Sequence, residues 1–226
     1  MKSLSDDLNK YKREEELYDA GFKLICGVDE VGRGSIAGPL VVAAVILNPL
    51  KHINGIDDSK KLSPKKRNLL AKEIKKEALA YATIFISPKE IDELDIYQAT
   101  KKGMILAINK LKIKPDYALI DAMPLKELTL PHDSIIHGDA LSASIGAASI
   151  IAKVTRDDYM AKMDLKYPNY GFKKHKGYCT KEHMEALDKN GPCAIHRKTF
   201  YPVSKYYNKI VQLSLGFENT DDKSCE

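Results

Sequence analysis

The chain has 226 residues, 44% of them apolar, and carries 36 basic against 31 acidic side chains for a formal charge of +5. That length and composition allow one cooperative core and exclude a disordered chain, while the small basic excess permits a polyanionic partner without requiring one. The longest apolar run, PLVVAAVIL between Gly38 and Asn48, is too short to span a membrane, and the amino terminus lacks the apolar centre of a secretion signal, so a cytoplasmic protein without membrane attachment is expected.

Residues Leu8 to Ala20 mix charges with Leu8, Tyr11, Leu17 and Tyr18, which predicts a surface helix ended by Gly21. Phe22 to Val28 reads as a strand, Leu40 to Leu47 as a second and Thr83 to Ile86 as a third, the first two forming a hairpin across a glycine-rich turn. Ser63-Pro64 starts a helix whose stripe is Leu70, Ile74 and Ala78-Leu79, and Glu90 to Leu111 repeats that pattern as a single helix. The short segment YALID, Tyr117 to Asp121, is the next strand. Ala140 to Met160 reads as a helix rich enough in Ala, Ser and Gly to lie close to its neighbours. A helix over Thr180 to Asn190 closes at Gly191-Pro192, another runs from Val203 to Leu215, and the polar end ENTDDKSCE is expected to fray. The segments divide as a helical start over 1–21, an α/β core over 22–164, a helical region over 165–217 and a tail over 218–226.

Acidic residues recur where these elements end. Asp29 and Glu30 end the first strand, Asp121 ends YALID, and Asp139 sits directly before the small-residue helix. Sites gather at strand ends in open α/β sheets, and hard divalent cations take oxygen ligands, so converging carboxylates could hold Mg²⁺ or Mn²⁺. Neighbouring side chains in a strand point to opposite faces, so Asp29 and Glu30 share one site only if the strand twists or bends. Each acid also has a purely structural use: pairing of Asp29 or Glu30 with Arg33, a turn from Asp121 to Pro124, an N-cap at Asp139. In the turn between, Gly32 and Gly34 allow positive φ and close backbone approach, and Arg33 offers donors suited to phosphate, although a plain connecting loop would use the same residues.

The segments GVDEVGRGSIAGPLVVAAVIL, DSKKLS, YALID, HGDALSASIGAASIIAKVTRD, YPNYGFKKHKGY and HRKTF, in this order, resemble ribonuclease HII. The resemblance implies an α/β, RNase H-like fold: a central mixed β-sheet flanked by helices, with a helical carboxyl-terminal extension. It implies hydrolysis, by two metal ions, of the phosphodiester 5′ of a ribonucleotide in RNA–DNA hybrids and in duplex DNA with embedded ribonucleotides. A 5′-phosphate and a 3′-hydroxyl would result. Asp29, Glu30, Asp121 and Asp139 would be the catalytic carboxylates and the ligands of Mn²⁺ or Mg²⁺. Gly32, Arg33 and Gly34 would recognise the 2′-hydroxyl, Tyr178 would pack on the adjoining deoxyribose, and Lys60 would contact phosphate.

Three positions depart from the usual pattern, which has proline at Ser35, glycine at Ala122 and lysine at His137. Every expected catalytic group lies in one chain, so a monomer suffices, with a replication sliding clamp as a partner to consider. A different two-metal nuclease and a non-catalytic hybrid-binding module are the alternatives. Lys60, Lys61, Lys65, Lys66 and Arg67, with Lys173, Lys174 and Lys176, could line a duplex cleft or simply be solvated. Lys153 and Arg156 could brace carboxylates or a helix end, with Asp157 and Asp158 as available partners. His175, His183 and His196 lack zinc-site spacing, and His175 is a substrate neighbour or a surface residue. Cys26, Cys179, Cys193 and Cys225 show no paired metal spacing, and Cys26 is expected to be a buried small hydrophobe.

Overall fold

The computed structural model describes residues 10–207, so Leu8, the part of the expected Val203–Leu215 helix beyond Tyr207, the tail over 218–226 and Cys225 lie outside the described residues. The chain divides into two compact units, one of Met1–Arg33 with Pro39–Tyr159 and one of Gly34–Gly38 with Met160–Glu226.

The first unit opens with helix α1 (Lys12–Asp19), then strands β1 (Ile25–Val31) and β2 (Leu40–Ile46), helix α2 (Pro64–Glu77), strand β3 (Ala80–Ile86) and helices α3 (Pro88–Leu94) and α4 (Ile96–Asn109). Strands β4 (Tyr117–Asp121) and β5 (His132–Ile135), the short helix α5 (Gly138–Leu141) and the long helix α6 (Ala143–Lys166) follow. Among the described residues the strands make one mixed sheet in the order β3-β2-β1-β4-β5. The three strands β3, β2 and β1 pair antiparallel, and β4 and β5 join β1 in parallel.

Every residue of β2 is buried, because the strand is central and helices cover both of its faces. Val41, Ala43 and Val45 pack with Leu70 and Ile74 of α2 and with Ala147, Ile150 and Ile151 of α6. On the opposite face α4 comes so near that a Cβ on Gly103 would stand 2.7 Å from Val42 Cγ2. The β1 register carries the same division along the strand: Asp29 pairs with Ala43 on the α6 side, and Glu30 with Val42 on the other.

Glycine at position 27 makes the α6 contact possible. A Cβ there would stand 2.0 Å from the carbonyl carbon of Ser144 and 2.3 Å from the backbone nitrogen of Ile145, and neither is a group that can rotate away. The small residues of α6 were legible as a sign of close packing, and β1 is what they pack against.

Three expected elements differ from those observed. The first strand begins at Ile25 rather than Phe22 and runs to Val31, three residues past the expected Val28, which takes in both Asp29 and Glu30. The single helix over Glu90 to Leu111 is two helices, broken at Asp95, where φ is +69° and the side chain takes the N–H groups of Tyr97 and Gln98 at 2.7 and 2.9 Å. The apolar stripe continues across this break, which hid the cap. The helix over Ala140 to Met160 likewise breaks at Ser142, whose extended backbone separates α5 from α6 and whose Oγ accepts the Ile145 N–H at 3.2 Å. Strand β5, HDSI, had no apolar run to announce it, because it is a half-exposed edge strand.

The second unit contains α7 (Phe172–His175) and α8 (Lys181–Asn190), with a small core of Ile36, Leu187 and Val203. The strip after the glycine-rich turn belongs to this unit: Ile36 N–H donates to Gly177 O at 2.9 Å and Gly38 N–H to Ile195 O at 2.8 Å.

Gly27→Ala drives a methyl group into the α6 backbone, so it is expected to lower the unfolding free energy by about 3 kcal/mol or more. A urea denaturation midpoint equal to that of the wild type would contradict the contact.

Candidate active site

The parallel pairing of β1 with β4 runs from Ile25↔Tyr117 to Val28↔Ile120, so the next residues along the two strands are Asp29 and Asp121. Asp29 is 4% exposed. Burial, followed by the charges of Glu30 and Asp121, holds its carboxyl well above the usual carboxylate range. Ser149 of α6 and the Glu30 N–H, 2.6 Å from Oδ1, oppose that rise. Burial also pushes Glu30 up to about 7, against the pull of Arg33, whose Nη1 lies 3.5 Å from Glu30 Oε1, and with a further push from Asp121. Asp121, at the end of β4, acts on both from beside them.

Asp139 is the second residue of α5 and not an N-cap, the cap position being His137 with left-handed φ of +58°. Asp121 ties this segment to β4, since its Oδ1 accepts the Gly138 N–H at 2.8 Å. Asp139 is raised by burial first, then by Asp58 and Asp121, while Lys60 pulls the other way. Asp58, whose charge acts on Asp139, is a fifth carboxylate that reading the sequence did not single out. Its signal was its place one residue from Ser59 and two from Lys60 in DSKKLS. The exposed Lys60 is thereby next to the acids, and its N–H donates to Asp58 Oδ1 at 2.9 Å.

Behind Asp29 lies a buried polar chain. Ser149 Oγ lies within hydrogen-bond distance of Ser59 Oγ at 2.9 Å, the Ser59 carbonyl accepts from Arg67 Nε at 2.8 Å, and Arg67 Nη1 stands 3.7 Å from Asp157. Arg67 is 8% exposed and also donates to Leu62 O, so it is a structural residue and not part of a solvated basic run. Lys61, Lys65 and Lys66 are exposed, and Lys153 pairs with Asp157 at 2.8 Å.

In the glycine-rich turn the two glycines have different reasons. Gly32 has φ of +105°, and a Cβ there would stand 2.3 Å from Nε of Arg156, a fully buried side chain that donates to Pro39 O at 2.9 Å. Gly34 is outside the left-handed region, and a Cβ there would meet nothing within 4 Å. The freedom to adopt positive φ is therefore used at Gly32, above Arg156, and not at Gly34. Ala122, directly after Asp121, has φ of +50°, where glycine would avoid the steric cost of a Cβ.

Tyr178, 36% exposed, lies in the second unit, where it forms an isolated bridge with Ser35, the residue after Gly34. The three histidines of this unit are buried, His175 included. His175 Nε2 donates to Tyr170 O at 2.7 Å, and its Nδ1 accepts the Gly177 N–H at 3.1 Å. His183 Nδ1 faces the Tyr178 carbonyl at 2.9 Å, and His196 Nδ1 accepts the Cys193 N–H at 2.9 Å, which leaves His196 Nε2 to donate to His183 Nε2 at 3.1 Å. All six ring nitrogens have hydrogen-bond partners, so His175 is neither a surface residue nor free to meet substrate.

The acidic residues suit a hard divalent cation. Glu30 Oε2 is buried without a hydrogen-bond partner, and Asp29, Glu30 and Asp139 all hold protons more tightly than usual, the signature of negative charge in need of a counter-charge. Among the described residues no three His, Cys, Asp or Glu side chains already form a closed ligand set.

Two outcomes are expected. Gly32→Ala lowers stability while Gly34→Ala leaves it within about 0.5 kcal/mol of wild type, measured by chemical denaturation. Burial lowers His183 and His196 from 6.5 to about 4. Both rings are therefore neutral in the fold but protonate in the unfolded chain, so their contribution to stability is present above pH 6.5 and lost as pH falls toward about 4. Ring-proton NMR showing either histidine titrating near 6.5 would contradict this.

Comparison with known proteins adds the lineage. A family model described as Ribonuclease HII matches residues 26–203. Ribonuclease HII of Caldicellulosiruptor bescii is 50% identical over 197 residues, covering 87% of this chain and 96% of the relative. Among solved structures, the ribonuclease H2 from Pyrococcus horikoshii OT3 superposes with a TM-score of 0.71 at 27% identity, covering 84% of this chain and all of that one. The RNase HII of the Archaeoglobus fulgidus PCNA:RNase HII complex does so with 0.65 at 27%, covering 90% and 97%. The mixed sheet with flanking helices and helical extension is the RNase H-like fold of these structures. With the match running across β1, β4, α5 and α6, this chain belongs to the ribonuclease HII family.

Proposed function

We infer that the chain is an endoribonuclease that uses divalent cations to cut RNA paired with DNA. Family membership makes it a metal-dependent nuclease acting on the RNA of RNA–DNA hybrids. The observation that carries the site reading is the electrostatic linkage of Asp29, Glu30 and Asp139 through Asp121, beside a buried Glu30 oxygen without a partner.

On this reading Asp29, Glu30, Asp121 and Asp139 hold the ions, with Asp29 central because it is the most deeply buried of the strand acids. Bound Mg²⁺ or Mn²⁺ would lower the pKa of water and offset negative charge on the phosphate and the leaving oxygen, worth several kcal/mol, or about 10³-fold or more in rate. Water adds to phosphorus in line, the bond to the 3′-oxygen breaks, and that oxygen takes a proton. The products are a 5′-phosphate on the ribonucleotide and a 3′-hydroxyl upstream.

Selectivity for RNA needs a test of the 2′-hydroxyl, which DNA lacks. The backbone of Gly32, Arg33 and Gly34 and the adjoining Glu30 are proposed for that test. The open space around Gly34 supports it, since no packing in the fold requires glycine there. Lys60 is proposed to meet phosphate, and the half-exposed Tyr178 to pack on the deoxyribose that follows, favouring an RNA-to-DNA junction. Residues 22–164 would then carry catalysis and 165–217 substrate binding.

A sliding clamp is the protein partner proposed, because the Archaeoglobus fulgidus relative is seen with PCNA. A monomer in the cytoplasm is the simplest working form. No helix among the described residues is long and apolar enough to cross a membrane, and Cys26, Cys179 and Cys193 are free thiols.

A labelled DNA duplex with one internal ribonucleotide, beside an all-DNA duplex, tests this in Mg²⁺, in Mn²⁺ and in EDTA. Cutting is expected only 5′ of the ribonucleotide and only with metal, and Asp29→Asn reduces it on the order of 10³-fold or more. The same variant should melt no lower than wild type without metal, since it removes a charge that burial disfavours. Cleavage of both duplexes would remove the 2′-hydroxyl test. Tight hybrid binding with no product in either metal would favour a binding module.

A further inference from the structure

Helix α1 and the two described residues before it, Lys10 and Tyr11, lie outside the 26–203 range of the family match, yet side chains among them reach the acidic segments. Lys10 Nζ, on a side chain 11% exposed, donates to Asp57 Oδ1 at 2.8 Å and to Ala140 O at 2.6 Å. Asp57 and Ala140 are the immediate chain neighbours of Asp58 and Asp139. The Lys10 carbonyl in turn accepts the Ala143 N–H at 2.8 Å.

One turn further along, Glu14 is 1% exposed and its Oε1 accepts both Ser142 Oγ at 2.6 Å and the Ser144 N–H at 2.8 Å. Tyr11 holds the other segment from above, stacked on His52 at 4.1 Å and accepting the Ile53 N–H at 2.9 Å. Leu17 anchors the helix in a cluster with Ile25, Leu119 and Ile145, which belong to β1, β4 and α6.

We propose that this amino-terminal segment is a clamp, with Lys10 and Glu14 as positioning residues that hold the Asp58 and Asp139 segments together for cation binding. The proposal rests on the metal-dependent function above. Asp58 and Asp139 are like-charged side chains close enough to interact, so the segments that carry them repel each other unless other contacts hold them together. Lys10 bridges the backbone of one segment and a carboxylate of the other, so separation would break a buried ion pair and a charge-assisted hydrogen bond together. Glu14 fixes the far side of the Asp139 segment by taking the Ser142 hydroxyl, which also caps α6. Outer groups that orient ligands in this way commonly change metal affinity 10–100-fold when removed.

The test compares full-length wild type with Lys10→Met, Glu14→Ala and Glu14→Gln, the last of which keeps an acceptor oxygen at the same place. Mn²⁺ binding is read by electron paramagnetic resonance, and backbone amide exchange is followed at Ala143 and Ser144. Cleavage of the embedded-ribonucleotide duplex is measured across Mn²⁺ concentrations. Lys10→Met and Glu14→Ala are expected to weaken Mn²⁺ binding about 10-fold, with faster exchange at both amides. Turnover should recover at high Mn²⁺ with little change in KM for the duplex, and Glu14→Gln should behave like wild type. Should Lys10→Met fail to fold, the two Glu14 variants carry the comparison. Unchanged Mn²⁺ affinity in variants of a protein that binds Mn²⁺ and cuts the duplex overturns the clamp and leaves the function standing. A wild-type chain that neither binds Mn²⁺ nor cuts overturns both.

Discussion

The contact on which the site depends is backbone against backbone, where α6 lies on β1 at Gly27. No side chain intervenes, so Ser149, less than two turns along the helix, comes within reach of Asp29, and the Asp139 segment is delivered beside the end of β4. The same closeness excludes water. It makes the carboxylates costly to ionise, and it makes each hydrogen bond that supports them worth more than it would be at the surface. Stability and chemical readiness are set against each other here. An apolar residue at position 29 would suit the core better, and a solvated one would meet a cation with less gain.

The apolar strands were readable because burial leaves a plain record: LVVAAVI has helices on both faces and needs no polar residue. YALID was short but bounded by a carboxylate and a turn. Elements set by local hydrogen bonding were harder to see, since Asp95 and Ser142 end helices without interrupting the apolar pattern. At the candidate site, the strand and helix acids stood out by position and by motif. Asp58 did not, because DSKKLS drew notice for its lysine, and the approach of Asp58 to Asp139 is visible only in space. The reason for Gly32 was equally hidden, since it depends on Arg156, more than a hundred residues later in the chain.

The second unit solves a different problem with the same economy of groups. Three imidazoles and two aromatic rings, Tyr170 and Phe172, form a compact cluster in which Tyr170 and Phe172 stack at 5.2 Å and His175 and His183 at 4.2 Å. The hydrogen bonds assign each ring its tautomer, so the cluster joins α7, α8 and the segment around His196 as firmly as an apolar core while leaving no spare donor. Its order reaches the backbone on both sides of Tyr178, through the Tyr178 carbonyl and the Gly177 amide.

The clamp at the amino terminus joins residues far apart in the chain: Glu14 to Ser142 spans 128 positions and Lys10 to Ala140 spans 130. Loops of that length close late, after the local antiparallel pairing of β1, β2 and β3 has had time to form. During synthesis on the ribosome, α1 emerges before the segments it holds, and it must wait for most of the first unit before its partners exist. The acidic segments are therefore brought together only when the sheet that insulates them is already in place, and the nascent chain is spared a premature cluster of like charge.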